Sequence, residues 1–598
     1  MCGISGIFNF SKKSINLKTI TKKFVDHQKK RGPDFSSIWE SEDKLICFGH
    51  NRLSIIDLSV NANQPFISND KNYVITFNGE IYNFLEIKKK LLEQKIKFKS
   101  NSDTEVIIES YKFWGIDFLN KLRGMFSFAL YDIKQKKLIL ARDPFGIKPL
   151  YYSIKNGAFY FASEAKSLLF APSISNEFSN VGLVSYYLWG NMQEPHTLYK
   201  DIKSLSKGTY KIIDCYGNHK TINYANIKDE IINLGNLKIN NENEADEYLK
   251  EIISETTKYH LIADVPTSFM LSSGIDSSVL VASADNKNNC SAITLDFENN
   301  NKNLNESVLA KKTSIINSIP HKIELIKEIE IKNLIEIFFK KMDLPTNDGL
   351  NNFIFSHKAN LNNIKVILSG VGGDEFFFGY PSFKRLPKIK SIVSKLPNNK
   401  WLDLKFRNYF YKFLKKNKLN TKLSGLYGYG SSIDTAFLLQ RALFLPHELN
   451  DFLASEQIKL GLDELDIFEN LKSDVDGIND EKLKIMYLEI KYYLCSKLLK
   501  DCDWASMSNS VEMRLPFIDW FFFKKLIPLL KTNITINKSK LAKIFASNLP
   551  NEIFKRKKTG FGLPYQSYLK LFGQNQLNYS HQIKDWSVFS VNNYLKNQ

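Results

Sequence analysis

The chain has 598 residues, of which 43% are hydrophobic, and its formal net charge is +19 at pH 7. Single hydrophobic cores stop growing at roughly 250–300 residues, so this length predicts at least two domains. No apolar run reaches the roughly 18–20 residues of a membrane span, which excludes an integral membrane protein, and the lysines are spread along the chain without forming the basic stripe of a nucleic-acid-binding protein.

The pattern of residues 2–215 predicts a succession of strands. The segments KNYVITFNGEIYN (71–83) and GMFSFALYDIKQKKLILARD (124–143) alternate apolar and polar residues, and a polar turn divides the second as in a hairpin. The segment NGAFYFASEAKSLL (156–169) passes from a strand into a helix. We therefore expect a first domain built on strands over residues 2–215.

A change of composition separates this half from the next. Residues 216–245 are rich in Asn and poor in core residues, which predicts a linker. Residues 246–598 contain long segments with helical periodicity and short buried strands such as VPTSFML (265–271) and KVILSG (365–370). Strands that alternate with helices predict an α/β domain with a parallel sheet.

The six cysteines stand at positions 2, 47, 215, 290, 495 and 502, with no CxxC pair and no zinc-like spacing. The N-terminus also lacks the charged segment and long apolar core of a secretory signal. Both features are typical of reduced thiols in the cytoplasm.

The second residue of the sequence MCGISGIFNF is a cysteine. If Met1 is removed, Cys2 carries a thiol and a free α-amine, whose pKa near ~7.7–8 suits it to take the thiol proton. An ordinary buried cysteine is the alternative interpretation.

Four short motifs follow Cys2 in order: RGPD (31–34), GHNRLSIID (49–57), FNGEIYN (77–83) and SNSDTEV (100–106). With them the first half resembles the class II glutamine amidotransferases. The resemblance implies an α+β N-terminal-nucleophile domain, folded as an αββα sandwich, in which Cys2 attacks the side-chain amide of glutamine.

The resemblance also implies the roles of the other pocket residues. The side chain of Asn78 and the backbone N–H of Gly79 would stabilise the oxyanion, since such an intermediate needs preorganised donors. Arg52 would bind the α-carboxylate of glutamine, and Asp103 with Glu80 would accept from its α-ammonium. An alternative for Asp103 is a helix N-cap before TEVIIESY.

The segment FMLSSGIDSSVLVASA (269–284) places a strand, a turn of small residues and a helix in succession. Such a turn offers backbone N–H groups to phosphate. The segment resembles the pyrophosphate loop SGGxDS of AMP-forming ligases, with Ser273 in place of the first glycine. By that match Ser272, Gly274, Asp276 and Ser277 hold the phosphates of ATP, Asp276 through Mg²⁺.

A second glycine-rich turn, VILSGVGGDEFFFGY (366–380), is similar to a segment of the asparagine synthetase family. The resemblance implies that Ser369 and Gly370 contact the nucleotide and that Asp374 lies toward the metal and pyrophosphate. Met270 and Leu295 match positions beside the adenosine.

Two motifs near the C-terminus complete this resemblance. DCDWASMSNSVEMRLPFID (501–519) follows the family pattern DxxSMxxSxExRxPFxD, in which we interpret Glu512, Arg514 and Asp519 as structural ion pairs. RKKTGFG (556–562) matches R-x-K-x-x-F and places the catalytic Lys558 against the reaction intermediate, with a solvated lysine run as the alternative.

Nearly the whole chain therefore resembles the glutamine-hydrolysing asparagine synthetase family. The resemblance implies that glutamine is hydrolysed at Cys2, that ATP adenylylates an acceptor carboxylate, and that ammonia arriving through a tunnel displaces AMP. ATP and Mg²⁺ are the expected cofactors, aspartate the expected acceptor and asparagine the expected product. A homodimer is the assembly considered for this chain.

The acceptor side departs from the family pattern. Val371 stands where a glutamate is usual in LSGEG, and Leu344 stands where a glutamate is common, although Asp348 is retained. Two further hypotheses therefore stay open. The chain amidates another carboxylate, for example a sugar uronic acid, or it is a non-catalytic nucleotide-binding relic.

Overall fold

The computed structural model describes residues 2–11, 15–235, 237–239, 241–285, 287–298, 304–397, 399–555, 564–574, 579 and 581–596. Lys558, expected at the reaction intermediate, lies outside these residues. No helix in these ranges has the length and apolar character that a membrane crossing requires.

Strands in the described chain run as follows: β1 Gly3–Asn9, β2 Phe35–Glu40, β3 Ile46–Arg52, β4 Phe66–Ile67, β5 Tyr73–Ile81, β6 Gly124–Asp132, β7 Lys137–Arg142, β8 Tyr151–Lys155, β9 Ala158–Ala162, β10 Lys203–Ser204, β11 Thr209–Ile213, β12 His219–Asn223, β13 Thr267–Met270, β14 Cys290–Phe297, β15 His321–Ile326, β16 Val366–Leu368 and β17 Glu512–Arg514.

Helices of the first half and of the segment that follows it are α1 Leu17–His27, α2 Phe84–Glu93, α3 Asp103–Trp114, α4 Ala165–Leu168, α5 Asn180–Trp189 and α6 Ile227–Asn233. Helices of the second half are α7 Glu242–His260, α8 Ile275–Ala282, α9 Leu304–Ile316, α10 Glu328–Lys341, α11 Leu350–Leu361, α12 Gly373–Phe376, α13 Ser382–Val393, α14 Lys400–Lys405, α15 Tyr411–Lys416, α16 Leu426–Tyr429, α17 Ile433–Arg441, α18 Ser455–Leu465, α19 Ile467–Val475, α20 Glu481–Leu488, α21 Leu499–Met507, α22 Trp520–Leu530, α23 Lys538–Ile544, α24 Glu552–Lys555, α25 Tyr565–Leu571 and α26 Gln582–Lys596.

The first half is a sandwich of two antiparallel sheets, with strand orders β10-β8-β9-β1-β3-β2 and β12-β11-β7-β6-β5-β4. Alternating residues of the two sheets, such as Phe8, Phe48 and Tyr131, meet in one buried cluster between them. Helix α1 packs on β1 and β3, and α3 packs on β5 from the other side. This arrangement confirms the expected αββα sandwich.

The second sheet extends beyond the predicted end of the first domain. Strand β12 pairs with β11 from His219 to Asn223, and helix α6 follows it, both inside the segment predicted as a linker at 216–245. The Asn- and Lys-rich composition concealed this strand, because an edge strand buries few of its side chains and shows weak alternation.

The second half is built on a parallel sheet of order β15-β14-β13-β16-β17, with helices packed around it. Its central strands β13 and β16 are short and mostly buried, because a parallel sheet is covered on both faces. Since all the strands run in one direction, their carboxyl ends meet at one edge, where ligands of open α/β sheets bind. The expected parallel α/β domain with many helices is thus confirmed.

Candidate active sites

The residues expected to act on glutamine meet in one cavity of the first half, which we call the Cys2 pocket. Its lining includes Cys2, Arg52, Gly79, Glu80 and Asp103. Cys2 directly precedes β1, Arg52 ends β3, the next two lie in β5, and the last begins α3. The sandwich therefore brings together side chains that are up to a hundred residues apart in sequence.

Cys2 is nearly buried, with 7% of its surface exposed, and its backbone N–H donates to Asn78 Oδ1 at 3.0 Å. The Nδ2 group of Asn78 is buried and has no hydrogen-bond partner in the described chain. Burial raises the pKa of the Cys2 thiol, while a hydrogen bond from the Leu53 backbone and the charge of Arg52 oppose that rise. Asn78 is not among the residues that line the pocket, but it contacts Cys2 and keeps a buried donor with no partner in the described chain.

Gly79 is required by the close approach of β5 to β6. A Cβ atom at this position would stand 2.2 Å from the carbonyl oxygen of Met125 and 2.7 Å from Cα of Phe126. Only glycine fits such a contact between backbones. The backbone of Gly79 is consequently held in place beside the thiol.

The guanidinium of Arg52 is held by uncharged acceptors. It donates to the carbonyl oxygen of Ser59 and to Oδ1 of Asn63, both at 2.8 Å, and to the carbonyl oxygen of Asp57. None of the ion pairs found within the described ranges includes Arg52. Arg52 therefore lines the Cys2 pocket with a positive charge that no carboxylate of the described chain pairs.

Asp103 is not the N-cap of α3. That position is occupied by Ser102, whose side chain accepts from the Thr104 N–H at 3.1 Å, and Asp103 is the first helical residue. Its Oδ2 accepts instead from the Ile81 N–H at 3.0 Å, and burial raises the pKa of Asp103 to about 6. The capping alternative is therefore wrong, because the carboxylate turns into the pocket.

Glu80 lies between the two halves of the protein. Burial and the nearby charge of Glu512 raise its pKa well above the usual range, while Arg514 opposes that rise from 3.6 Å. Arg514 also pairs with Glu512 at 2.5 Å, as the sequence predicted for this motif. The carbonyl oxygen of Arg514 accepts from the Ser369 N–H at 2.9 Å. Arg514 thus contacts Glu80 of the Cys2 pocket and Ser369 of the second candidate site, which is described next.

The second candidate site lies where β13 passes into α8 through residues 271–274, which we call the serine loop. Ser272 Oγ lies 2.9 Å from Ser277 Oγ and accepts from the Gly274 N–H at 3.1 Å. Ser273 is not among the described residues with positive φ, so serine replaces the motif's first glycine without backbone strain. The loop has the shape of a phosphate cradle at the start of a helix.

Residues 369–380, which we call the acidic loop, close over the serine loop. A Cβ atom at Gly370 would lie 2.9 Å from the Ser277 backbone N, and one at Gly373 would lie 2.4 Å from Asp276 Oδ1. The two loops follow neighbouring parallel strands, β13 and β16. The sequence-predicted residues Ser369, Gly370 and Asp276 are therefore brought together.

Lys538, at the start of α23, joins the two loops and was not singled out from the sequence. Its ammonium contacts Asp276 Oδ2 and Asp374 Oδ1. Although burial lowers the pKa of Lys538, the two carboxylates outweigh burial and raise it. The available signal was the N-cap Asn537 before a lysine, which in a chain with 82 Lys and Arg residues predicts nothing specific.

The pair Asp276 and Asp374 also fits a divalent cation. Mg²⁺ is commonly held by one or two carboxylates together with substrate phosphates and water. The described residues contain no cluster of three or more His, Cys, Asp or Glu side chains that could hold a metal. The remaining ligands would therefore come from phosphate and water.

The positions expected beside adenosine lie at the same edge of the sheet. Met270 ends β13 and Leu295 lies in the neighbouring strand β14. Val371, in the acidic loop, is a partly buried apolar residue packed against the core, and Leu344 is buried. The acceptor side thus has apolar contacts at both positions where the family pattern has an acid.

A buried charge cluster holds the halves together. Asp503 of α21 pairs with Arg31 at 2.9 Å and with Lys148 at 3.1 Å, and Arg31 Nε donates to the carbonyl oxygen of Cys2 at 3.2 Å. Asp519, the third residue that the sequence analysis assigned to ion pairs in this motif, pairs with Arg123 at 2.8 Å. The first strand of the sandwich is therefore tied to the second half by hydrogen bonds and charge.

Comparison with known proteins supplies two family matches. Residues 1–225 match the model of a glutamine amidotransferase domain, and residues 248–588 match the asparagine synthase model. Asparagine synthetase [glutamine-hydrolyzing] 1 of Bacillus subtilis is 29% identical over 97% of this chain and 89% of its own. Asparagine synthetase B of Escherichia coli is 28% identical over 66% of this chain and 67% of its own. Amidase chry2 of Gibberella zeae is 29% identical over 59% of this chain and 54% of its own.

Proposed function

Because the chain belongs to the asparagine synthase family, with a glutamine amidotransferase domain before the synthase domain, we propose that it is an ATP-dependent ligase that transfers the amide nitrogen of glutamine to a carboxylate. Aspartate is the first acceptor to consider and asparagine its product, as the names of the relatives indicate. The observation that carries the proposal is the buried Nδ2 group of Asn78, which has no partner in the described chain, while Oδ1 of the same side chain accepts from the Cys2 N–H.

In the Cys2 pocket, Arg52 binds the α-carboxylate of glutamine, and Glu80 with Asp103 accepts from its α-ammonium. The Cys2 thiolate attacks the side-chain carbonyl, and the negative charge on oxygen is stabilised by Asn78 Nδ2. Because burial raises the thiol pKa, attack requires a base, which the α-amine of Cys2 supplies once Met1 is removed. A glutamyl thioester and ammonia result, and water then releases glutamate.

At the second site the serine loop binds the phosphates of ATP, and Lys538 neutralises charge on the leaving pyrophosphate. Asp276 and Asp374 would hold Mg²⁺, which would neutralise further phosphate charge when bound. The acceptor carboxylate attacks the α-phosphorus of ATP, which gives an acyl-adenylate and pyrophosphate. Ammonia then displaces AMP, and the amide forms.

A cavity at the boundary of the two halves supports the transfer of ammonia between the sites. It is lined from the first half by Arg31 and Glu164 and from the second by Asp343, Lys497 and residues of α21 such as Asp503. We call it the interface cavity. Ammonia that travels inside the protein is not lost to protonation in solvent, which is the advantage of an internal path.

Pyrophosphate release from MgATP tests the proposal, with glutamine or ammonia as nitrogen donor and acceptors added singly, aspartate first. Release that depends on aspartate, together with asparagine in the product, is the expected result. Cys2→Ala should abolish release with glutamine and leave release with ammonia. If wild-type protein released pyrophosphate with none of the acceptors, the ligase proposal would be rejected.

Amidation of another carboxylate is the second candidate, and Val371 favours it. An apolar side chain at this position cannot take a proton or hold a cation, so the chemistry on the acceptor side differs from the family pattern. The same acceptor panel separates the two candidates. A cytoplasmic location, a homodimer and the absence of nucleic-acid binding remain predictions.

A further inference from the structure

A large cavity, lined by helices of the second half and by Trp189 of the first, belongs to neither candidate active site. Its volume is about 490 Å³, within the roughly 300–1,000 Å³ of small-molecule pockets. Its lining contains no Asp or Glu among the described residues, and its Lys and Arg side chains are Arg385, Lys422, Arg441, Lys497 and Lys584. We call it the cationic cavity.

The positive charge of this cavity is only partly balanced. Lys584 pairs with Glu448 at 3.0 Å, Arg441 with Glu489 at 2.8 Å and Lys497 with Asp348 at 3.9 Å, and all three acids lie outside the lining. Lys422 donates instead to the carbonyl oxygen of Gln440, and no carboxylate pairs with it in the described chain. Burial and the neighbouring Lys584 lower the pKa of Lys422 to about 7. An anion in the cavity would restore its charge.

Uncharged polar atoms of the lining also have no partner. Asn347, with 2% of its surface exposed, has a buried Oδ1 atom that accepts no hydrogen bond in the described chain. Trp189 Nε1 and Arg441 Nε are buried donors that donate to no acceptor in the described chain. Buried polar groups are normally hydrogen-bonded, so these atoms indicate a polar ligand. The rings of Trp189 and Tyr492, stacked with centroids 5.1 Å apart, give the cavity an aromatic wall.

The cavity adjoins the proposed site of adenylylation. Tyr380, the last residue of the acidic loop, has its ring 4.4 Å from the guanidinium carbon of Arg441. Helix α13, which carries Arg385, begins two residues later. Lys497 lines both this cavity and the interface cavity. It belongs to the π-helical segment Glu489–Leu498 between α20 and α21, a geometry that often marks functional sites.

We propose that the cationic cavity is the acceptor site of the ligase, and that it extends the acceptor class to carboxylates larger than aspartate that carry a second anionic group and hydroxyls. A sugar acid phosphate has this chemistry. Its phosphate pairs with Lys422 and Arg385, its hydroxyls bond to Asn347 and Trp189, and its carboxylate points toward the acidic loop. The inference rests on the proposed function.

The reaction at this site balances without an additional reagent. The acceptor carboxylate oxygen forms a bond to the α-phosphorus of ATP, and the bond to pyrophosphate breaks. Ammonia then adds to the acyl carbon, AMP leaves with the electron pair of the C–O bond, and a proton is released. Lys497, at the meeting of the two cavities, lies where ammonia would reach the acyl-adenylate.

The test uses the full-length protein with MgATP and ammonia, and the probes glucuronic acid 1-phosphate, UDP-glucuronic acid, glucose 1-phosphate and aspartate. Pyrophosphate release and calorimetric binding are measured for wild type, Lys422→Gln, Arg385→Gln and the control Lys412→Gln. Arg385 is exposed, so its loss does not threaten folding, and Lys412 is an exposed lysine outside the cavity.

We expect release with at least one sugar acid phosphate and competition by glucose 1-phosphate, which has the phosphate without the carboxylate. Each cavity variant should raise KM for the sugar acid phosphate about tenfold or more, because a bond to a charged group is lost. KM for MgATP and glutaminase activity should not change. If aspartate supports release while glucuronic acid 1-phosphate and UDP-glucuronic acid both fail to bind and the variants behave as the control, the inference is wrong and the ligase function stands. If no acceptor supported pyrophosphate release, both the inference and the proposed ligase function would be rejected.

Discussion

Replacing Asp503 by asparagine tests how the two halves are held together. The side chain is buried and pairs with Arg31 at 2.9 Å and Lys148 at 3.1 Å, both from the other half of the chain. Although burial raises it, these two cations hold the pKa of Asp503 below its usual value. Asparagine keeps the shape of the side chain and removes only its charge, so two buried cations lose their shared counter-ion.

The expected loss of stability is about 3–5 kcal/mol, the cost of leaving a buried charge without its partner. That loss corresponds to roughly two to four powers of ten in the folding equilibrium. Because Arg31 and Asp503 line the interface cavity, loosening this boundary should let ammonia leave the protein before it reaches the second site. We therefore expect glutamine hydrolysis to separate from synthesis, with more glutamate than pyrophosphate formed per turnover.

Urea unfolding followed by tryptophan fluorescence measures the first effect, and the glutamate-to-pyrophosphate ratio measures the second. Asp26→Asn is the matched control, since Asp26 pairs with Lys22 at 2.6 Å on a surface helix with both side chains more than half exposed. Such a pair contributes less than about 0.5 kcal/mol. If Asp503→Asn lost no more stability than this control and kept a ratio near one, the reasoning about the interface would be refuted.

Three further outcomes follow from the two candidate sites. Asn78→Ala should lower kcat for glutamine hydrolysis about 10²- to 10³-fold, because it removes an oxyanion donor. Steady-state glutamate release measures this effect, and an effect confined to KM would contradict the role of Asn78. Burial raises the pKa of Asp103 to about 6. Protonation of Asp103 should therefore raise KM for glutamine about tenfold for each pH unit below 6. A KM that stays constant from about pH 7 to about pH 5 would exclude Asp103 as the ammonium acceptor. Lys538→Met should abolish pyrophosphate release and leave glutaminase activity intact, whereas Lys540→Met, on the same helix, should change neither.

The sequence by itself determined the parts that depend on short segments. The hairpin of β6 and β7, the passage from β13 into α8 and the order of motifs behind Cys2 are all local, because alternation, small-residue turns and helix starts involve neighbouring residues. The parallel sheet follows from these patterns, whereas the αββα sandwich was implied by the resemblance of the motifs to the class II glutamine amidotransferases. The edge strand β12 was not predicted, because too few of its side chains are buried to give an alternation of apolar and polar residues.

Only the tertiary structure decided which distant side chains meet. Lys538 reaches Asp276 across 262 residues, and the cationic cavity collects residues from Trp189 to Lys584. Lysine spacing carries no signal for such contacts in a chain with this many basic residues. The pKa of Asp103 likewise depends on burial, which no local pattern states. Packing brings these groups together, and packing is a property of the whole fold.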